Sequence, residues 1–276
     1  MDKVEAANER LKEKRRQLGI SETGKPTPVI SKSQNEGPTA SKEDIEDFQK
    51  LIVEQQRKCQ EEEDFRKKKM LEQQKNNPER WLKTADVPLK YLHASFESFK
   101  GGESIKEMCQ TSIPKRESIM LCGKTGCGKT HLAVAMLRYF ITTTQIELPL
   151  NSMWEWEAGR FSGDSGMRFL SVPELLLEIR ASFAKDSETS EKAIIEKYAD
   201  IALLILDDLG AEKTTEWVES TLYLVIDRRN RWNKWTIITS NLTLEEIEQH
   251  LGARIASRLS DMKVVNIKLP DYRKKR

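Results

Sequence analysis

Eight residues constrain this chain more than any others. Gly123-Lys124-Thr125-Gly126-Cys127-Gly128-Lys129-Thr130 meets the spacing G-x-x-x-x-G-K-[ST]. It stands between an apolar run at 118–122 that reads as a buried strand and a helical pattern at 129–143. Three glycines let the backbone turn tightly, so that successive N–H groups point at a phosphate with the positive end of the helix behind them. Lys129 is expected to bridge the β and γ phosphates of ATP, and Thr130 to ligate Mg2+ through its hydroxyl. Lys124, Thr125, Cys127 and His131 complete the stretch expected to line the nucleotide.

A second constraint follows at 201–208, the most apolar strand of the sequence, which ends in Asp207 and Asp208. Ligands of parallel sheets collect at the carboxyl ends of the strands. Asp207 is therefore expected to hold Mg2+ through water, and Asp208 to orient the attacking water as its base. Many ATPases of this kind use Glu at the second place, and aspartate is one methylene shorter. A third strand, 235–240, runs into Asn241, whose amide is a candidate for holding that water or a γ-phosphate oxygen; alone, it reads equally as a helix or turn cap. Arg254 and Arg258 lie one helical turn apart in LGARIASRLSDM and share a face. They are candidates to reach the γ-phosphate of a neighbouring subunit, with surface salt bridges as the plain alternative.

The remaining pattern alternates strand and helix. Residues 167–171 read as a strand, 173–184 as a helix with Ser171 and Glu174 as a capping box, and 190–198 as a further helix. Residues 215–231 read as an amphipathic helix, Thr243 and Glu246 cap the next one, and 264–269 form a last strand. The prediction is an α/β fold: a P-loop domain with a parallel sheet between helix layers.

Composition changes near residue 80. About a quarter of residues 1–80 are hydrophobic, against somewhat over two fifths afterwards, and every Trp and Tyr lies at Trp81 or beyond. The expected division is a mostly helical, charged region at 1–80 and an ATPase domain at 81–276. Within the first, Val4, Ala7, Leu11 and Leu18 follow helical spacing, and 24–42 gathers Gly, Pro, Ser and Asn into a linker. From Ser41 a long charged helix is predicted, with Glu62/Arg66, Glu63/Lys67 and Asp64/Lys68 as i,i+4 pairs. Its apolar seam, Ile45, Phe48, Ile52 and Cys59, gives way to Gln55, Glu62 and Arg66, which is too thin for a sustained coiled coil.

Other classes are disfavoured. No purely apolar run exceeds the length of Ile201 to Leu206, far short of the roughly 20 residues a bilayer helix requires, and the opening MDKVEAANER lacks the pattern of a secretory signal. A cytoplasmic protein with no membrane partner is expected. Cys59, Cys109, Cys122 and Cys127 form no CxxC, and His93, His131 and His250 are not clustered, so neither disulfides nor zinc are expected. Net charge is +2 from 46 basic and 44 acidic residues, so any polyanion must meet a local patch.

GKTGCGKTHLA, LLILDDLGAE, ITSNL and LGARIASRL, in this order, resemble the AAA+ ATPases of the DnaC/DnaI helicase loaders and the related IstB transposition ATPases. ADVPLKYLHASFESF at 85–99 resembles the lead-in of those proteins. The resemblance implies Arg258 as an arginine finger, Arg254 as its companion, and Arg273 of the terminal DYR as a second sensor in cis. It also implies that the paired helices after the second strand face single-stranded DNA, with Arg180, Lys185, Lys192 and Lys197 for its phosphates; a solvated face explains the same charges. The segment 148–167, with Trp154 and Trp156, is longer than the family core requires.

The leading expectation is an ATP-dependent loader of a replicative helicase onto single-stranded DNA during replication initiation. It would self-associate through its ATPase domain and grip the helicase with its N-terminal region. Alternatives are an IstB-like ATPase assisting a transposase, or a non-hydrolysing nucleotide-gated adaptor suggested by Asp208. A metabolite kinase is disfavoured by the Asp pair, Asn241 and the paired arginines.

Overall fold

The computed structural model describes residues 42–143, 166–184 and 189–275. The chain divides into two compact units, Met1–Glu72 and Gln73–Arg276. The helical spacing at 4–18, the linker at 24–42 up to its last residue, Ser41, Trp154, Trp156 and Lys185 lie outside the described residues.

Helix α1, Lys42–Asn76, runs 35 residues with neither Gly nor Pro to interrupt it. Glu54–Lys58 at 2.8 Å and Arg57–Glu61 at 3.0 Å are among its i,i+4 ion pairs, both on exposed side chains where solvent screens them. Ile52, Gln55, Cys59, Glu63 and Arg66 are half-buried, whereas Val53 and Phe65 are 64% and 69% exposed.

The second unit is built on five strands: β1 (Ile119–Gly123), β2 (Met167–Ser171), β3 (Leu203–Leu209), β4 (Trp235–Ser240) and β5 (Lys263–Ile267). All pairings are parallel and the order is β2-β3-β4-β1-β5. Around them lie α2 (Pro78–Thr84), α3 (Glu103–Ser112), α4 (Lys129–Thr143), α5 (Val172–Ala181), α6 (Glu191–Asp200), α7 (Glu216–Arg231), α8 (Leu244–Leu251) and α9 (Ala253–Ser260). Alternation within the strands feeds two cores. Met120, Cys122, Leu204, Leu206 and Ile238 join the apolar faces of α5 to α9. Their neighbours Ile119, Leu121, Ile205 and Ile237 are buried as well, and α4 packs over β1 and β4 with α2 and α3 beside it. Among the described residues no helix is long and apolar enough to cross a membrane.

Element limits follow local chemistry. Ser171 and Glu174 form the expected capping box on α5, Thr243 and Glu246 that on α8, and Ser190 and Thr215 cap α6 and α7. Helix α5 stops at Ala181, short of the expected residue 184, where the Ser182 hydroxyl donates back to the Ile179 carbonyl. Strand β3 starts two residues late because the Ile201 N–H still closes α6 on the Lys197 carbonyl. The compositional shift near residue 80 falls inside α2, whose Trp81 and Leu82 are fully buried.

Arg229 of α7 has no exposed surface. Its Nη1 donates to the carbonyls of Tyr198 (2.9 Å) and Ile201 (2.7 Å), Nη2 to that of Trp235 (2.6 Å), and Nε to Thr236 Oγ1 (2.9 Å). Burial pulls its pKa down to about 9. The planar fork ties the exit of α6 and the entries of β3 and β4 to one point, a geometry an ammonium cannot copy. Arg229→Lys is expected to cost about 3 kcal/mol, through carbonyls left unpaired in the interior. Urea unfolding should show a lower midpoint at unchanged slope; a loss under about 1 kcal/mol would deny the clamp its role.

Candidate nucleotide-binding site

Parallel register brings the sites together. Gly123 closes β1 beside Ile267 of β5, and Cys122 faces Ser240 of β4, so the loop leaves the sheet at the edge where β3 and β4 also end. Two glycines are required by backbone shape: Gly126 has φ +80° and Gly128 φ +97°. A Cβ on Gly128 would stand 2.8 Å from the Phe99 ring, and one on Gly126 would meet the Asp271 carboxylate. The C-terminal segment leans on the loop, since the Tyr272 N–H donates to the Gly126 carbonyl at 3.1 Å and the Tyr272 hydroxyl to the Lys100 carbonyl at 2.5 Å. Arg273 follows directly, exposed, with its N–H on Asp271 Oδ1 at 2.9 Å.

Lys129 opens α4 and is only 5% exposed. Its Nζ donates to the carbonyls of Gly123 (2.9 Å) and Lys124 (3.1 Å) and to Asn241 Oδ1 (2.8 Å). Thr125 Oγ1 reaches the same amide oxygen at 3.4 Å. Asn241 therefore stands at the loop; the helix that follows it is capped by Thr243.

Thr130 Oγ1 donates to Asp207 at 2.9 Å from Oδ1 and 3.2 Å from Oδ2. Thr239 Oγ1 donates to Asp207 Oδ1 at 2.7 Å and accepts the Asp208 N–H at 3.0 Å. Thr239 was not expected in the site. Its signal is a hydroxyl inside a fully buried strand, shared with Thr236 and Ser240, where a polar group needs a partner. Burial raises the Asp207 pKa, partly offset by the hydrogen bonds from Thr239 and Thr130.

Asp208 has φ +59°, and the β3–β4 register shifts between Leu206 and Leu209. The second acidic residue thus occupies a left-handed bulge position. Among residues with a Cβ, Asp and Asn tolerate that region best, which gives a backbone reason for Asp where Glu was the more familiar choice.

Other expected residues are placed less directly. His131 Nε2 lies 3.0 Å from Ser98 Oγ and 3.1 Å from the Ser95 carbonyl, and burial lowers its pKa; it braces the lead-in against α4. Arg138 does the same through the Ala94 carbonyl at 3.0 Å. Cys127 is buried in the loop, and burial pushes the Cys122 thiol up to about 11, so Cys122 does not behave as a reactive thiolate. Lys124 is exposed. Arg254 and Arg258 are not brought to the loop: their partners are Tyr223 and Asp227 of α7. On the paired helices, Arg180 lies 5.1 Å over the Trp217 ring, Lys197 pairs with Glu178 at 3.2 Å, and Lys192 is exposed.

A parallel sheet in this order, with a phosphate loop after β1 and an acidic pair ending β3, defines an AAA+ P-loop fold with an ATP-binding site. The comparisons agree with the resemblance read from the motifs. Residues 160–276 match the family described as IstB-like ATP binding protein. The replicative helicase loader DnaC of Buchnera aphidicola subsp. Baizongia pistaciae is 23% identical over 189 residues, covering 66% of this chain and 69% of that protein. The protein of the same name from Escherichia coli K12 is 24% identical over 142 residues, covering 51% and 49%. A crystal structure of the DnaC helicase loader superposes with TM-score 0.50 at 20% identity, over 66% of this chain and all of that one. The chain is thus similar to the DnaC helicase loaders and to the IstB-like ATP binding proteins, and has the AAA+ P-loop fold.

The Thr130 hydroxyl and Asp207 carboxylate are hard oxygen donors in mutual contact, a pair suited to Mg2+ that takes its other ligands from phosphate and water. Keeping Asp207 ionised in this buried position costs stability. Its folded pKa lies above the unfolded value of about 3.8, so the fold is favoured by its protonated form and loses stability as pH rises through the folded pKa. Asp207→Asn is therefore expected to match or exceed the parent in melting temperature at pH 8, with the difference closing below about pH 4. Thermal melts across that range check it; a destabilised variant at pH 8 would mean the hydrogen bonds outweigh the burial cost.

Proposed function

We propose that this protein is an ATP-dependent loader of a replicative helicase onto single-stranded DNA, and that it hydrolyses ATP in a site completed by a second copy. One observation carries the catalytic half of the reading. Lys129, Asn241, Thr130, Asp207 and Thr239 come from three separate segments and meet at the sheet edge, where Lys129 bonds Asn241 and Asp207 bonds both Thr130 and Thr239. In the proposed reaction the loop amides and Lys129 bind and orient the phosphates, and Asn241 aligns the attacking water. Asp208 accepts that water's proton, and Arg258 with Arg254 meets the developing charge from the neighbouring copy. Thr130 and Asp207 would hold Mg2+, which when bound spreads charge over the phosphoryl oxygens. Residues 1–80 are the proposed helicase-docking region and 81–276 the ATPase domain; the proteins named DnaC supply the helicase as partner.

A second reading keeps the same ATPase and replaces the helicase by a transposase, favoured by the match to the IstB-like family over residues 160–276. The left-handed backbone at Asp208 offers a reason for aspartate other than loss of hydrolysis, and a single-turnover ATP hydrolysis assay separates a non-hydrolysing adaptor from both ATPase readings.

Lys129→Ala should abolish ATP binding with the fold intact, read by nucleotide titration and circular dichroism; near-normal affinity in a folded variant would defeat the site. Asp208→Asn, which suits the same left-handed backbone, should bind ATP normally and lose hydrolysis by on the order of 10²-fold or more.

Pull-down against a replicative helicase and a transposase separates the two readings. The full chain should retain the helicase, and a chain starting at Gln73, which keeps Gln74, Trp81 and Leu82 with the ATPase unit, should lose it. Retention of the transposase alone would select the second reading.

A further inference from the structure

Helices α7 and α9 meet along a ladder. Glu219, Tyr223 and Asp227 recur at every fourth residue of α7 and share a face. At the first rung the Glu219 carboxylate abuts Gly252, where a Cβ would stand 2.7 Å from Oε1. At the second, the Arg254 guanidinium carbon sits 3.8 Å from the centre of the Tyr223 ring. At the third, Arg258 Nε donates to Asp227 Oδ1 at 2.8 Å, and the Tyr223 hydroxyl acts on both members of that pair. Asn230 Nδ2 closes the ladder on the Arg258 carbonyl at 3.2 Å and Asp261 Oδ2 at 3.1 Å.

The manner of holding matters more than the holding itself. Asp227 is 8% exposed and takes Arg231 on its other oxygen at 2.9 Å. Burial would raise its pKa, but Arg258, Arg231 and Tyr223 outweigh that and keep it below the usual carboxylate value, so it is a fixed anion at neutral pH. Arg258 is anchored through Nε while its side chain remains 36% exposed. A guanidinium held there still carries the N–H donors of both Nη atoms. Arg254 is stacked on a ring face, and stacking leaves the in-plane N–H groups available to an anion.

We infer that Tyr223 and Asp227 are positioning residues that fix the directions of Arg254 and Arg258 and present their donor edges jointly to the γ-phosphate of ATP bound by a neighbouring copy. The inference rests on the trans reading of the two arginines given above. A pair of arginines on exposed helical positions would otherwise sample many rotamers, and ordering each long side chain at the moment of contact costs conformational entropy. Ring and carboxylate remove that freedom beforehand.

The test uses full-length chains carrying Tyr223→Ala, Tyr223→Phe or Asp227→Asn, each checked for folding by thermal melt. Tyr223→Ala should lower kcat by on the order of 10- to 100-fold, the scale of a misplaced catalytic group, with ATP affinity of the isolated subunit within about twofold of the parent. Tyr223→Phe, which keeps the ring, should restore most of the rate. Mixing assigns the defect to its half of the site: Tyr223→Ala should regain turnover with Asp208→Asn and regain none with Arg258→Ala. If Tyr223→Ala hydrolyses normally while Arg258→Ala does not, or if those two variants rescue each other, the positioning role is overturned. An Arg258→Ala chain that hydrolyses normally, or that Asp208→Asn cannot rescue, overturns the trans reading and this inference with it. Should Asp227→Asn fail to fold after losing its charge beside two arginines, the Tyr223 pair decides alone.

Discussion

The Asp207 carboxylate is the joint on which the site depends. It receives hydrogen bonds from Thr130 at the start of α4 and Thr239 at the end of β4, while it ends the apolar part of β3. Three segments far apart in sequence are thereby fixed to within a hydrogen bond of one another. A carboxylate without such donors would be intolerable at this depth. The same two hydroxyls that make its burial tolerable also set its direction toward the phosphate loop.

The strand bearing that joint is deliberately irregular. A continuous β3 would turn Asp208 to the face opposite Asp207, because successive side chains alternate. The register shift between Leu206 and Leu209, with Asp208 at φ +59°, breaks the alternation at the two adjacent carboxylates. Thr239 stabilises the break by accepting the Asp208 N–H, so one side chain holds both acidic residues in place.

Most of the fold was legible because its signals are local. Apolar runs marked the strands, and Ser171, Ser190, Thr215 and Thr243 marked helix starts by the chemistry of capping. The phosphate loop was legible for the same reason: its function needs small residues at fixed spacing. Long-range hydrogen bonds were not. Nothing in the run Thr236-Ile237-Ile238-Thr239 distinguishes the hydroxyl that meets Arg229 from the one that meets Asp207; strand register does. Asp208 was read as a departure from a pattern because backbone dihedrals are not written in residue spacing. The Tyr223–Arg254 stack was likewise hidden, since it depends on how two helices separated by β4 and α8 come to lie side by side.

The two halves of the proposed site share one structural unit. Strand β3 carries the acidic pair, α7 carries Tyr223 and Asp227, and β4 carries Thr239 with Asn241 just past its end, in unbroken chain order. Arg229 of the same α7 clamps the entries of β3 and β4. The helix that holds the outward-facing arginines is thus pinned to the strands that hold the inward-facing carboxylates. A displacement of either strand end must either be absorbed in the connection from Leu209 to Thr215 or carried into α7. Glu212 stiffens that connection, with Oε1 accepting the Gly210 N–H at 3.2 Å and the His250 ring 3.3 Å from the Glu212 carbonyl. Substitutions along β3, α7 and β4 therefore belong to one mechanical element, and their energies should couple as those of contacting residues do.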